Sequence, residues 1–502
     1  MTAVTVSGDG HSLLLTRVSQ SNLWITDRGL KSNRTPKHAT DTGPVHLQGN
    51  GGETLKTVFV VGAGPAGLFA AQKIAQAGHE VIVFNRDVKP GGLAEYGIYP
   101  TKDKMKVGLR KQFAKVLSLP NVHYLGHACV GNGCGISIAD LQEFCPSAVV
   151  FAVGAQGAKQ LGLPGAESRG VYSAKDFVYF YNLLPPFASQ DFSTGKRVAV
   201  VGMGNVAVDV CHWLLVDDPN HTAEDVFVIA RRGPFEAKFD KKEFAYIEAY
   251  LDRRSFQEEL KRIHDQLTAV GQDPAGLAAA TFPCLAKPDP GTKGPRLHFR
   301  FLSSPKAIQP DSSGRIARLI VTENTLVKRG EEVAMKATDK TAELEVDTMV
   351  FAIGDVADPA LGLPYGKDCY VTNPHPQDAG QPGYEVLDPQ VGKVMPGTYV
   401  VGWARKASEG LVGIARHDGE VGAAEVMKYL ETLPDGNCAP VGEVLRHLES
   451  KNLRLVTKAD LEYLARAEER EAKARGVQFF KFSDDEAMLA AIEEQKAQAA
   501  AV

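Results

Sequence analysis

The stretch VFVVGAGPAGLFAAQKIAQAGHEVIVFN, residues 58–85, decides the fold. An apolar β-branched run ends at Gly62, and Gly62, Gly64 and Gly67 then form GxGxxG at the opening of an amphipathic helix, which leads into a second apolar run. Gly62 permits the tight turn, and Gly64 lets the backbone approach a pyrophosphate. Gly67 lets helix and strand pack closely, so that phosphates sit at the positive end of the helix. An acid commonly ends the second strand of such a unit. Asn85 stands there instead, and its amide can still exchange a hydrogen bond with a ribose hydroxyl.

The same device recurs at residues 196–215, KRVAVVGMGNVAVDVCHWLL, where Gly202, Gly204 and Ala207 make GxGxxA between strand and helix. Two dinucleotide loops in one chain point to a flavoprotein that also binds a nicotinamide nucleotide. The strand after the second helix ends VFVIARRGP, residues 226–234. An NAD site favours an acid near this strand end, whereas Arg231 and Arg232 suit a 2′-phosphate. NADP(H) is therefore the expected nucleotide.

Around these loops, near-continuous apolar runs such as AVVFAVGA, TMVFAIGD and TYVVGWA alternate with helical patterns. Such runs belong in parallel sheets covered on both faces. The expected architecture is α/β, with two Rossmann-like, doubly wound, three-layer nucleotide-binding domains and a helical tail. The expected boundaries are a polar arm at 1–55, a discontinuous FAD domain at 56–155 and 345–434, an NADP domain at 156–344, and a helical extension at 435–502. In the tail, Thr457 to Asp460 can form a capping box opening a helix that Gly476 closes.

Composition sets bounds on partners. The 502 residues carry a formal net charge of −4, so no global basic surface invites nucleic acid. No run approaches the roughly 18 apolar residues of a membrane span, and the only early apolar cluster is too short for a signal peptide, which places the chain in the cytoplasm. Seven cysteines are scattered without a CxxC pair, so no metal site is expected. Cys129 and Cys134 have the CxxxxC spacing of a redox disulfide, but they follow an extended segment, NVHYLGHA, and enclose two glycines that disfavour helix. A strand end followed by a turn is the plainer reading.

The motifs VVGAGPAGLFAAQ, GGLAEYGI, VYSAKDFVYFYN, VGMGNVAVDV, ARRGPFEAKFDKKEF, YVVGWARKASEGLVG and LVTKADLEYLARAEEREA together resemble the adrenodoxin reductase family of flavin-dependent NADPH–ferredoxin reductases, including its bacterial members. The resemblance runs from about residue 56 to 495. A more distant similarity is to the small subunit of NADPH-dependent glutamate synthase. The resemblance implies that Ala66, Leu93 and the Val130 backbone contact FAD, with Gly91 and Gly92 in a loop close to the flavin. It places Trp403 against the isoalloxazine, and Gly410, Leu411 and Val412 at its polar edge. It gives the NADP pyrophosphate to Met203, Gly204, Asn205 and Val206, the 2′-phosphate to Arg231 and Arg232, and the ribose region to Glu243, with Gly410 near the nicotinamide.

The chain also departs from that pattern. The family commonly has Asp-His after the GGL segment, whereas YGIYPTKDKMK places Thr101 and Lys102 there. The implied activity is hydride transfer from NADPH to flavin N5, followed by single-electron release to an iron–sulfur acceptor such as ferredoxin. Lys102, Lys104, Lys106, Arg110 and Lys111 crowd one stretch and could steer an acidic acceptor. The alternative is a flavin and nicotinamide subunit of a larger iron–sulfur oxidoreductase of the glutamate synthase, 2-oxoacid or aldehyde type. A disulfide reductase using Cys129 and Cys134, and a binding scaffold without catalysis, are the remaining readings.

Overall fold

The computed structural model describes residues 2–6, 13–17, 56–291, 294–375, 378–407, 412–434 and 440–501. Its centre is a seven-stranded sheet. The strands Ala148–Phe151, Thr57–Val61, Glu80–Phe84 and Val122–Leu125 run parallel in that spatial order. Lys393–Val400 joins them in parallel on the other side of Ala148–Phe151 and carries the antiparallel pair Asp378–Asp388 and Thr372–His375 outward. Every residue of Thr57–Val61 is buried, as a strand covered on both faces requires.

A second sheet of five strands is wholly parallel, in the order Arg296–Arg300, Asp225–Ile229, Arg197–Val201, Thr348–Phe351, Val171–Ser173. Thr348–Phe351 lies inside this sheet, directly beside the strand that feeds the second glycine loop. That corrects the expected return to the FAD domain at residue 345. The sheet still needs one more parallel neighbour there, and the return crosses instead through the small ribbon that pairs Asp355–Val356 with Gly157–Ala158. A three-stranded antiparallel sheet, Ser303–Pro310, Ile316–Arg329 and Glu332–Glu345, flanks the second domain.

Two further expectations meet the structure at the ends of the chain. The polar arm expected at 1–55 contains a two-stranded ribbon, Thr2–Val6 against Leu13–Arg17 in antiparallel register. In the tail, the helix Lys458–Ala474 opens on the full capping box between Thr457 and Asp460. Gly476 follows it with φ +65°. No helix among the described residues is long and apolar enough to cross a membrane. No group of three or more metal-ligating side chains occurs among them either.

Candidate functional site

Both glycine loops leave the carboxyl end of a central strand, with a neighbour on each side, which is where open α/β sheets bind ligands. The loops are built alike. The Gly62 amide donates to the Phe84 carbonyl at 2.7 Å, and the Gly202 amide donates to the Ile229 carbonyl at 3.0 Å. Gly62 holds φ +110° with the Ala152 carbonyl oxygen 2.5 Å from where a Cβ would stand, and Gly202 holds φ +127° with the Ala352 oxygen 2.2 Å away. Neither position accepts a side chain. Gly67 is closed for a different reason, since a Cβ there would lie 1.9 Å from the Gly62 oxygen.

Gly64 and Gly204 are the opposite case, because a Cβ at either would meet nothing within 4 Å. Each precedes a helix, Pro65–Gln76 and Asn205–His212, whose first amides receive no side-chain cap. Ser137, Ser173, Asp240, Asp252, Thr457 and Asp484 supply such caps to other helices, whereas Asp103–Leu117 and Val441–Ser450 also lack them without a glycine loop in front. Uncapped amides behind a clear approach fit the pyrophosphate of a dinucleotide, at both loops.

Around the first loop the structure gathers segments far apart in sequence. The Gly91 amide donates to the Ala63 carbonyl at 2.8 Å. A Cβ on Gly92 would lie 3.2 Å from the Gly64 Cα, and one on Gly402 would lie 2.7 Å from the Ala66 Cβ. Gly91, Gly92, Leu93, Ala66 and the turn Gly402–Ala404, which carries half-buried Trp403, therefore share one locality. Two residues that sequence reading missed hold that turn. The Asp418 carboxylate accepts the Gly402 amide at 2.6 Å and pairs with buried Arg405, whose guanidinium lies 4.0 Å from the centre of the Tyr384 ring. Each partner is contributed by a different element, so no local motif marks them. Val412 begins the helix Val412–Thr432; Gly410 and Leu411 lie outside the described residues.

Asn85 sits at the centre of a network that fixes the first loop. It is buried, and its carbonyl oxygen accepts the Ala63 amide at 3.0 Å. Its amide nitrogen donates to the carbonyls of Asp87 and Lys89 at 2.8 and 3.0 Å, and the Tyr124 hydroxyl lies 3.2 Å away. Asn85 therefore ties the glycine loop to the turn after the second strand, with both amide hydrogens engaged and one lone pair of its carbonyl oxygen left over. Its backbone carbonyl receives the Ala128 amide at 2.9 Å, which ties in the segment leading to Val130 as well. Asn85→Asp sets a carboxylate against two carbonyl oxygens and should cost about 3 kcal/mol. Chemical denaturation is the check, together with loss of bound flavin from the purified variant.

Cys129 and Cys134 are joined as a disulfide on either side of Val130, where sequence reading favoured two unlinked cysteines in a turn. The loop between them turns at Gly131 and Gly133, both with positive φ, which folds the chain back and brings the two residues to a Cα separation of 5.2 Å.

At the second loop, the Met203 carbonyl accepts the Lys238 amide at 2.9 Å, the Asn205 side chain accepts the Asp240 amide at 2.7 Å, and Val206 is exposed. Arg231 and Arg232 stand just beyond the strand Asp225–Ile229, with their backbone fixed by Asn324 and Leu302. Neither guanidinium is ion-paired with any described residue.

The two domains meet at a titratable seam. Lys102, from the flavin side, reaches Glu243 at 2.8 Å and Asp209 at 3.9 Å on the nucleotide side. Tyr99 stacks on His212 at 4.3 Å and donates to Asp217 at 2.6 Å. Burial pushes the Asp209 carboxyl up to about 6 despite the opposing pull of Lys102. A carboxyl whose folded-state value exceeds its unfolded value supports the fold only at low pH, and that support is lost as pH rises through about 6. Asp209→Asn should therefore raise stability at pH 8 by on the order of 2–3 kcal/mol and change it little at pH 4, as read from urea midpoints.

The expected basic docking stretch is largely spoken for. Lys106 is buried and donates to the Asn182 side chain at 2.8 Å, which removes it from any docking surface. Arg110 forms a two-pronged pair with Glu95, at 2.7 Å for each nitrogen, and Lys102 is engaged at the seam. On the helix Asp103–Leu117 Lys106 turns inward and partly exposed Arg110 is tied to Glu95, leaving Lys104 and Lys111 exposed and unengaged by these pairs.

Comparison with known proteins agrees with this geometry. Residues 56–257 match the pyridine nucleotide-disulphide oxidoreductase family. The chain is 31% identical over 407 residues to NADPH-ferredoxin reductase FprA of Mycobacterium leprae, covering 74% of this chain and 84% of that protein. It is 26% identical to the mitochondrial NADPH:adrenodoxin oxidoreductase of Mus musculus, with 93% and 97% covered. The solved structure of Mycobacterium tuberculosis FprA in complex with NADPH superposes with a TM-score of 0.73 at 26% identity, over 87% of this chain and 99% of that one.

Proposed function

Since the chain belongs to the adrenodoxin reductase-type family of NADPH–ferredoxin reductases, we propose that it moves electrons from NADPH through FAD to a one-electron iron–sulfur acceptor of the ferredoxin type. The observation that carries this reading is the pair of uncapped helix ends behind Gly64 and Gly204, each following a central strand flanked by parallel neighbours in its own sheet. When bound, FAD supplies the chemistry, accepting a hydride and releasing electrons singly.

The chain's own residues bind and orient. The loop Gly62 to Gly67 holds the FAD pyrophosphate, with Ala66, Gly91, Gly92, Leu93, Val130 and Trp403 around the rest of the cofactor. The loop Gly202 to Val206 holds the pyrophosphate of NADP(H), and Arg231 and Arg232, without an ion pair among the described residues, take its 2′-phosphate. Lys102 holds the Glu243 carboxylate at the seam where the nicotinamide must approach. The protein's task is to set the distance and angle between two bound cofactors and to exclude water from between them.

Lys104 and Lys111 are the remaining basic candidates for docking an acidic acceptor. Reversing both to Glu should slow ferredoxin reduction several-fold and flatten its salt dependence, with NADPH oxidation by a small-molecule acceptor unaffected. Stable residence in a larger iron–sulfur assembly rests on the arm, whose ribbon Thr2–Val6 and Leu13–Arg17 pairs with neither large sheet. Stoichiometric co-purification of an iron–sulfur subunit would favour that arrangement over a free cytoplasmic reductase. The function as a whole is tested by stopped-flow mixing of the purified yellow protein with NADPH and with NADH. Rapid bleaching near 450 nm by NADPH, then reoxidation by ferredoxin, is expected; a protein that holds no flavin would defeat the reading.

A further inference from the structure

The C-terminal extension reaches the centre of the molecule through one side chain. Lys481 lies between the helices Lys458–Ala474 and Asp485–Ala500. Its ammonium sits 2.8 Å from the Glu95 carboxylate and donates to the Glu95 carbonyl at 3.3 Å. It also donates to the Asn182 carbonyl at 3.3 Å and lies 4.5 Å from the centre of the Tyr96 ring. Glu95 and Tyr96 belong to the short helix Leu93–Tyr96 that follows the Gly91-Gly92 turn against the first glycine loop. Asn182 caps the helix Ala174–Tyr181, which follows an edge strand of the second sheet. One ammonium therefore joins three parts of the chain: tail, flavin-facing loop and nucleotide domain.

The surroundings show that this contact is built. The Glu95 carboxylate is buried and also takes both prongs of Arg110. Asn182 receives Lys106 on its side-chain oxygen at 2.8 Å while its own amide nitrogen donates to the Val178 carbonyl at 3.1 Å. Burial alone would push the Glu95 carboxyl up, but Lys481, Lys89 and Arg110 outweigh it and hold the group well below the usual carboxylate range. Burial holds the Lys481 and Lys106 amines below the usual lysine range. Enclosing an ammonium is unfavourable unless its partners compensate for the lost water, and an apolar side chain of that length would avoid the penalty. What the ammonium adds is a bridge, because its donors reach three oxygens from two segments at once, which an apolar side chain cannot do.

We propose that Lys481 is a positioning residue for hydride transfer: it locks the Gly91–Tyr96 segment and the end of the helix Ala174–Tyr181 in one mutual arrangement, and so makes the C-terminal extension part of the machinery that aligns the two cofactors. This rests on the functional reading above. Lys481 touches neither glycine loop nor the arginine pair, so its loss should leave nucleotide binding intact and disturb alignment.

The test is Lys481→Met in the full-length flavoprotein. The rate of flavin reduction at saturating NADPH should fall about tenfold or more, while the NADPH Kd stays within about twofold and flavin content stays stoichiometric. Reduction at the wild-type rate, or a loss confined to NADPH affinity, would overturn the proposal. If the variant does not fold, hydrogen exchange of the wild type decides. Adding NADP+ should slow exchange in 93–97, 179–184 and 478–483 together, and slowing confined to 202–207 and the arginine pair would overturn it. A wild-type protein whose flavin NADPH does not reduce would instead refute the functional reading, and the exchange experiment would still judge the coupling.

Discussion

Replacing Arg231 and Arg232 together by alanine should raise the Kd for NADPH about 100-fold or more and leave that for NADH within about twofold. Each charge-assisted hydrogen bond to a phosphate contributes roughly 1.5–3 kcal/mol, and every 1.4 kcal/mol or so is a factor of ten. The size of the effect follows from what the arginines are not doing. They make no ion pair with any described residue, so removing them breaks nothing inside the protein and leaves no buried carboxylate behind. The fold should therefore be untouched, and flavin content with it. Titration of the oxidised protein with NADP+ and NAD+, followed by flavin difference spectra, gives both constants. A double variant that still prefers NADPH would move 2′-phosphate recognition elsewhere. A variant that loses both nucleotides would mean the arginines shape the loop rather than read the phosphate.

The second large effect separates two glycines three residues apart. Gly64→Ala should give a folded protein that binds FAD about 100-fold more weakly or is isolated without it. Gly64 has φ −77°, which alanine adopts freely, and its Cβ would meet no protein atom. It would point instead at the approach a pyrophosphate needs, costing one or two charge-assisted bonds of about 1.5–3 kcal/mol each. Gly67→Ala should fail earlier. Its Cβ would lie 1.9 Å from the Gly62 oxygen and 3.0 Å from the Ala152 Cβ, so helix and strand must separate. A loss of about 3 kcal/mol or more in stability is expected, with flavin lost as a consequence. Far-ultraviolet circular dichroism, denaturant midpoint and flavin content measured on both variants distinguish the two outcomes. Gly204→Ala is the counterpart in the second domain, where flavin should be retained and NADPH weakened.

These contrasts mark what a chain of letters can carry. Gly62, Gly67 and Gly202 were legible because their reasons are local: a turn with positive φ and a helix that must lie against its own strand leave no room for a side chain. The parallel sheets were legible because strands covered on both faces must be apolar throughout, and the capping box at Thr457 because its two halves lie three residues apart. The placement of Arg231 and Arg232 just beyond a strand end was legible too, since it depends on little else.

Other residues had no such signature. Asn85 reads as a ribose ligand by position, and nothing local announces the four neighbours from three segments that surround its amide. Lys106 and Arg110 read as a surface patch by composition, yet the first turns inward onto Asn182 and the second is tied to Glu95. Asp418 supports the Trp403 turn from the following helix. By itself the sequence determined two dinucleotide-type folds, because those depend on backbone sterics within a few residues. The tertiary structure alone decided that Thr348–Phe351 belongs to the second sheet, which polar groups are spent inside the protein, and that Lys481 joins the tail to both domains. Buried polar groups must find partners wherever the fold supplies them, and partners that are hundreds of residues away leave no local pattern to read.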